Sequence, residues 1–213
     1  MQTAISEHPY NFTYAPLLIV ISGASGSGKD SVVKELIRQL DARGAHPHFV
    51  VTTTTRPRRD TEVEGVDYYF VSRVEFERMI AEGELVEHAL VYGQYKGVTR
   101  SELRRAMASG QDVVMRLDVQ GAATIRQMAP EAILIFIATL SERELTERLK
   151  RRRTEREDQL AIRLETARQE MQRIPEFDYV IPNPDQKLHE TVETVLAIIT
   201  AEKHRTHPRR ARI

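Results

Sequence analysis

The sequence has no cysteine among its 213 residues. That excludes a disulfide framework and thiolate chemistry, and it fits a reducing compartment. It also lacks a net charge, since 31 Lys+Arg offset 31 Asp+Glu. Such a balance argues against a protein that coats nucleic acid or an anionic membrane and leaves anion binding to local basic clusters. Long hydrophobic runs are missing too: "APLLIVIS", near the start, is far too short to span a bilayer. Residues 1–14 have neither a basic lead nor a following apolar core, so they read as a flexible extension and not as a secretory signal. The basic end 204–213 has no apolar periodicity and reads as a solvated, flexible tail. The expectation is a cytoplasmic protein with no nucleic-acid or membrane partner.

What is present alternates between strand and helix patterns. "LLIVIS" is a short apolar run stopped by glycine, as in a buried parallel strand. After Lys29 the apolar positions Val32, Val33, Leu36, Ile37 and Leu40 keep helical spacing. "HFVVTT" reads as a second strand, "DVVMRLDV" and "AILIFIA" as two more, and "DYVI" precedes a closing helix carrying Val192, Val195, Leu196 and Ile199. Ser72 with Glu75, Thr99 with Glu102, and Ser141 with Glu144 have capping-box spacing. Strands joined by such helices predict an α/β domain over 15–203, a parallel sheet flanked by helices. Two stretches interrupt the alternation. Residues 52–98 hold short strand patterns and many polar side chains, the makings of an inserted lobe. Residues 150–163, "KRRRTEREDQLAIR", have no core stripe until Leu160 and Leu164, which suits a mobile lid.

The first strand runs into "ISGASGSGKDS", Ile21–Ser31. Gly23, Gly28 and Lys29 fit a P-loop, G-x-x-x-x-G-K-[ST], and the strand–turn–helix context is the one that motif requires. Backbone N–H groups of Gly23, Ala24, Ser25, Gly26, Ser27 and Gly28 can approach phosphate oxygens, the helix N-terminus adds partial positive charge, and Lys29 adds a full one. Asp30 stands where the motif has a hydroxyl, with Ser31 after it. A carboxylate beside phosphate calls for a cation between them, and carboxylate oxygen suits Mg²⁺, so Asp30 reads as a metal residue, directly or through water. Its alternative is a helix cap, with Ser31 or water serving the metal.

Beyond the second strand, "TTTTRPRRDTEVEGVDYYF" and "GELVEHALVYGQYKG" place Arg56, Arg59, Tyr68 and Glu87 in one small lobe. Arginines give planar donors to a phosphate, Tyr68 a hydroxyl, and Glu87 two acceptor oxygens to a base edge with adjacent N–H donors. With "SGASGSGK", "LDVQGA" and "RLKRRRTE", these stretches resemble guanylate kinase from about residue 17 to 203, in the subclass with Lys-Asp in its loop. The resemblance implies a P-loop nucleoside monophosphate kinase fold with a GMP-binding lobe and a lid, and Mg²⁺-dependent transfer of phosphate from ATP to GMP. It assigns ATP phosphates to Lys29 and the loop through Ser31, and the adenine side to Asn183. It assigns the GMP phosphate to Arg56, Arg59 and Tyr68, guanine to Thr52 and Glu87, and a place near metal and acceptor to Asp118. Arg148, Arg152 and Arg163 become lid arginines. Lys96 stands for a second phosphate-binding tyrosine of the common form, Val98 for a guanine-binding serine, Arg116 for a second aspartate, and Arg153 for a lid glycine.

Two other readings follow from the same residues. A kinase for phosphorylated ribose shares "GSGKDS" but should lack the base-reading set. A catalytically silent guanylate-kinase-like module that binds phosphoproteins usually loses the phosphate loop, which this chain keeps.

Overall fold

The computed structural model describes residues 14–151 and 157–213. Five strands, β1 (Leu18–Gly23), β2 (His48–Val50), β7 (Val113–Arg116), β8 (Ile133–Ala138) and β9 (Tyr179–Pro182), form a parallel sheet in the order β2-β7-β1-β8-β9. Its central strands are apolar on both faces because both faces are covered. Ile19, Ile21, Ile133 and Ile135 pack with helices α1 (Lys29–Ala42) and α7 (Leu188–Lys203). The alternate residues Leu18, Val20, Met115 and Leu134 face α3 (Arg100–Ala108) and α4 (Val119–Met128). The α/β fold with a parallel sheet flanked by helices is thus the one expected.

"HFVVTT" does not stay in one sheet. β2 ends at Val50, and β3 (Thr53–Thr54) pairs instead with β4 (Tyr69–Phe70) and β6 (Gln94–Thr99). With β5 (Leu85–Val91) these make a second sheet in the order β4-β3-β6-β5. The threonines find polar partners there: Thr54 Oγ1 donates to the Tyr95 carbonyl at 3.0 Å and Thr55 Oγ1 to Gln94 Oε1 at 3.2 Å. Helix α2 (Arg73–Ala81) closes this lobe over Phe76, Met79 and Leu85.

All three capping serines and threonines accept from the predicted backbone N–H groups, Glu75, Glu102 and Glu144, at 3.1, 3.1 and 3.2 Å. Helices α5 (Glu142–Arg151) and α6 (Glu157–Gln172) take up the two ends of the expected lid, with Leu160 and Leu164 packed beside Leu145 and Leu149. Arg152 and Arg153 lie outside the described residues. The basic tail makes definite contacts: Arg209 Nε donates to Glu202 Oε2 at 3.0 Å, and Glu202 is buried. No described helix is long and apolar enough to cross a membrane.

The loop after β1 passes hard against β8. A Cβ on Gly23 would stand 2.2 Å from the Ile137 carbonyl oxygen, where only backbone could yield. Gly23→Ala is therefore expected to lower stability by about 1–3 kcal/mol in urea unfolding, the usual cost of forcing atoms into a packed site. An unchanged midpoint would mean that the close approach is dispensable.

Candidate active site

The P-loop leaves the C-terminal end of β1, the edge at which open parallel sheets bind ligands. Gly28 caps α1 in the left-handed region (φ 85) with no side-chain cap bond, and Lys29 and Asp30 open the helix, whose first N–H groups have no intrahelical acceptor. Lys29 Nζ turns back to the Gly23 carbonyl at 3.1 Å. The protein around Lys29 pushes its ammonium below the usual lysine range by desolvation, with Asp30 opposing the shift.

A cavity of about 310 Å³ separates this loop from the lobe. Of the residues singled out by sequence, it is lined by Ala24, Ser25, Gly26, Gly28, Lys29 and Asp30 on one side and Thr52, Arg56, Arg59, Tyr68, Glu87 and Lys96 on the other. Arg116, Asp118 and Arg163 complete the set. Cations outnumber carboxylates, so the cavity suits an anion. Asp30 faces it, whereas Ser31 opens on a separate groove.

Within the lobe, Glu62 organises both arginines. It accepts from Arg56 Nη2 at 2.7 Å and from the Arg59 backbone N–H at 2.9 Å. The Arg56 guanidinium lies 5.2 Å from the Tyr68 ring centroid. Lys96 is pushed below the usual lysine range by desolvation, while Asp30 and Asp118 pull it back up. Asp118 ends the β7 turn and caps α4, its Oδ1 accepting from the Gln120 and Gly121 N–H groups at 2.9 and 3.0 Å.

Glu87 is buried, and desolvation, reinforced by the negative charge of Asp118, pushes its carboxyl up to about 8. Its carboxylate rests against α4: a Cβ on Gly121 would stand 2.6 Å from Glu87 Oε2. Val98 contributes backbone here, since its side chain lies wholly in the core.

The structure does not bring Arg148 and Asn183 into this cavity. Both brace the loop from behind: Arg148 Nη1 and Asn183 Nδ2 donate to the Ser27 carbonyl at 3.1 and 2.8 Å. They line a neighbouring groove with Gly26, Gly28, Ser31 and Asp185, and Arg148 is paired there with Glu144 and Asp185 at 2.6 and 2.9 Å. Arg163 does reach the cavity, its guanidinium 4.9 Å from the Tyr92 ring centroid.

Sequence reasoning passed over Glu62, Tyr92, Gln94, Gly121 and Glu170. Gly121 was visible within "LDVQGA" but only as part of a pattern. Glu170, on α6, is buried and accepts from the Ser25 N–H at 2.9 Å. Nothing in its surrounding sequence distinguishes it from an exposed helix carboxylate.

Three acidic side chains line the cavity, and with Glu87 packed against α4, Asp30 and Asp118 are left as metal donors; among the described residues no group of three His, Cys, Asp or Glu could hold a metal by itself. That donor set fits Mg²⁺, which takes one or two carboxylates and completes its shell with water and substrate phosphate.

In the ligand-free protein the Glu87 carboxyl, near 8 against an ordinary 4.5, keeps a proton that the unfolded chain has lost. Between those values the folded state binds more protons than the unfolded one, so Glu87 makes stability fall as pH rises through that window. Urea unfolding at a series of pH values should show Glu87→Gln gaining on wild type from about pH 5 to about pH 8.5. Parallel stability curves would contradict the buried, protonated carboxyl.

The family model described as Guanylate kinase matches residues 16–202. A guanylate kinase 2, chloroplastic/mitochondrial, of Oryza sativa subsp. japonica is 46% identical over 212 residues, covering 99% of this chain and 73% of that protein. A guanylate kinase of Clostridium tetani is 41% identical over 189 residues, covering 89% and 88%. The crystal structure of guanylate kinase from Anaplasma phagocytophilum superposes with a TM-score of 0.72 at 32% identity, covering 91% of this chain and 89% of its own.

Proposed function

The chain belongs to the guanylate kinase family and transfers phosphate from ATP to GMP, and we propose that the cavity between P-loop and lobe is where the transfer takes place. The observation that carries this reading is that Lys29 and Asp30 share one cavity with Arg56, Tyr68 and Glu87, although they come from opposite sheets. Phosphoryl transfer asks little covalent chemistry of a protein. It needs two anions held in line and the moving charge stabilised.

In this reading the loop N–H groups and Lys29 hold the ATP phosphates. Arg56, Arg59 and Tyr68 hold the GMP phosphate, with Lys96 between the two. The groove at Asn183, behind the loop, receives the adenine side. Arg163 adds positive charge from α6. Asp30 and Asp118 are the residues that would hold Mg²⁺, which would supply positive charge against the phosphates. Filling of the cavity by both substrates excludes water that would otherwise accept the phosphate.

Lys29→Ala is expected to abolish nearly all transfer in a coupled ATP–GMP assay while thermal unfolding stays cooperative, because the loop's shape is set by glycines and by the braces on Ser27. Turnover near wild type would count against the assignment, as would a variant that no longer folds.

Base choice rests on Glu87 and Thr52. Guanine presents N1–H and an exocyclic amine side by side, and an ionised carboxylate accepts from both. Adenine offers a bare acceptor and a C–H at that edge, so it can take at most the proton of a neutral carboxyl and forgoes the two charge-assisted bonds that guanine makes, which favours GMP. The expected order in kcat/KM is GMP ≫ IMP > AMP, flattened by Glu87→Ala. Because the carboxyl is protonated when empty, GMP should bind with proton release at about pH 7, read as a buffer-dependent calorimetric enthalpy. A GMP preference undiminished in Glu87→Ala would sink this account of the base site.

A further inference from the structure

Arg116 has no part in the transfer described above, yet it lines the same cavity. Its side chain is 4% exposed, its Nη2 donates to the Asp67 carbonyl at 2.9 Å, and its guanidinium carbon lies 4.5 Å from the Tyr68 ring centroid and 5.5 Å from that of Phe49. A guanidinium held by two rings and a carbonyl has little room to swing. Its Nε lies 3.7 Å from Oδ1 of Asp30. Asp30 is also the first opposing charge felt by Lys29 and by Lys96. One half-exposed carboxylate therefore stands in the field of these three cations.

We propose that Arg116 keeps Asp30 from taking a divalent cation until nucleotide phosphates enter the cavity, so that metal arrives with the nucleotide and not ahead of it. A dication approaching the nucleotide-free site would gain the Asp30 oxygens but meet the Arg116 charge beside them and the fields of Lys29 and Lys96, and like charges repel. A polyphosphate reverses the balance. Its oxygens neutralise the lysines and supply most of the metal's shell, and Asp30 can then be shared between metal and guanidinium. Arg116 acts through Asp30 and is a positioning residue. It is also the cation of the three that can be replaced without removing a proposed phosphate ligand. The inference rests on the reading of Asp30 as a metal residue.

The test is Mn²⁺ binding to the purified full-length protein, followed by the electron paramagnetic resonance signal of unbound Mn²⁺. Without nucleotide, Arg116→Met should bind Mn²⁺ about tenfold more tightly than wild type, the scale of removing one unit charge near the ion. Arg116→Lys should stay with wild type, and adding Asp30→Asn to Arg116→Met should abolish the gain. Arg116→Gln, which retains a donor for the Asp67 carbonyl, stands in if the methionine variant unfolds. Equal Mn²⁺ affinity in wild type and both neutral variants would overturn the proposal, as would a gain that survives Asp30→Asn. A separate arm with a non-hydrolysable ATP analogue tests the underlying reading, since Asp30→Asn should weaken Mn²⁺ binding there. If that arm fails, Asp30 is not a metal residue and the inference falls with it; if only the nucleotide-free arm fails, the gating alone is wrong.

Discussion

A site that brings two polyanions together must be positive when empty, and the protein must still fold around it. Lys29 and Lys96 show the tension directly, because desolvation pushes both ammonium groups toward neutrality. The carboxylates among them are counter-ions that oppose that shift: Asp30 acts on both, Asp118 on Lys96 and Glu170 on Lys29. The neutral formal charge of the chain fits this design. Attraction is concentrated at one cavity between two sheets, and the surface elsewhere carries paired charges such as those linking Arg78 with Glu75 and Glu84.

Holding unlike charges this close demands backbone without side chains at a few points. Gly23 lets β1 turn beneath the Ile137 carbonyl, and Gly28 leaves room for the Asn183 amide, whose Nδ2 would lie 2.6 Å from an added Cβ. Gly121 does the same for the Glu87 carboxylate at the start of α4. Glu87, the α4 cap at Asp118 and the end of β7 are thereby fixed to one another. The high proton affinity of Glu87 follows from that packing, with burial its larger cause and Asp118 the smaller.

The parallel sheet was legible because its strands are apolar throughout and end in glycine or capping residues, and those signals are local. The break in "HFVVTT" was not, since it depends on where Tyr95 and Gln94 lie to receive the threonines. In the site, the P-loop announced itself by spacing and context. Arg56, Tyr68 and Glu87 gain meaning by occurring together after a phosphate loop, because each alone reads as a surface or strand residue. Arg148 matches a lid arginine and Asn183 a residue on the adenine side, but that both brace Ser27 is a matter of three-dimensional contact. Arg116 was visible only as a departure from the common form. Its meaning lies in its distance from Asp30, which no sequence spacing encodes.

The helices on either side of residues 152–156 each hold one atom of the phosphate loop. Arg148 on α5 donates to the Ser27 carbonyl, and Glu170 on α6 accepts from the Ser25 N–H. Neither contact is to the part of the loop that opens α1, so both can persist while the helix N-terminus meets a phosphate. A shift of either helix changes the loop's geometry through these bonds, and a phosphate that reshapes the loop pulls on both helices in return. Glu170 gives the coupling an electrostatic side. Burial pushes its carboxyl up, while the Ser25 N–H and the nearby Lys29 charge pull it back down. The helix that brings Arg163 to the cavity is thus tied to the loop by one hydrogen bond and to Lys29 by charge.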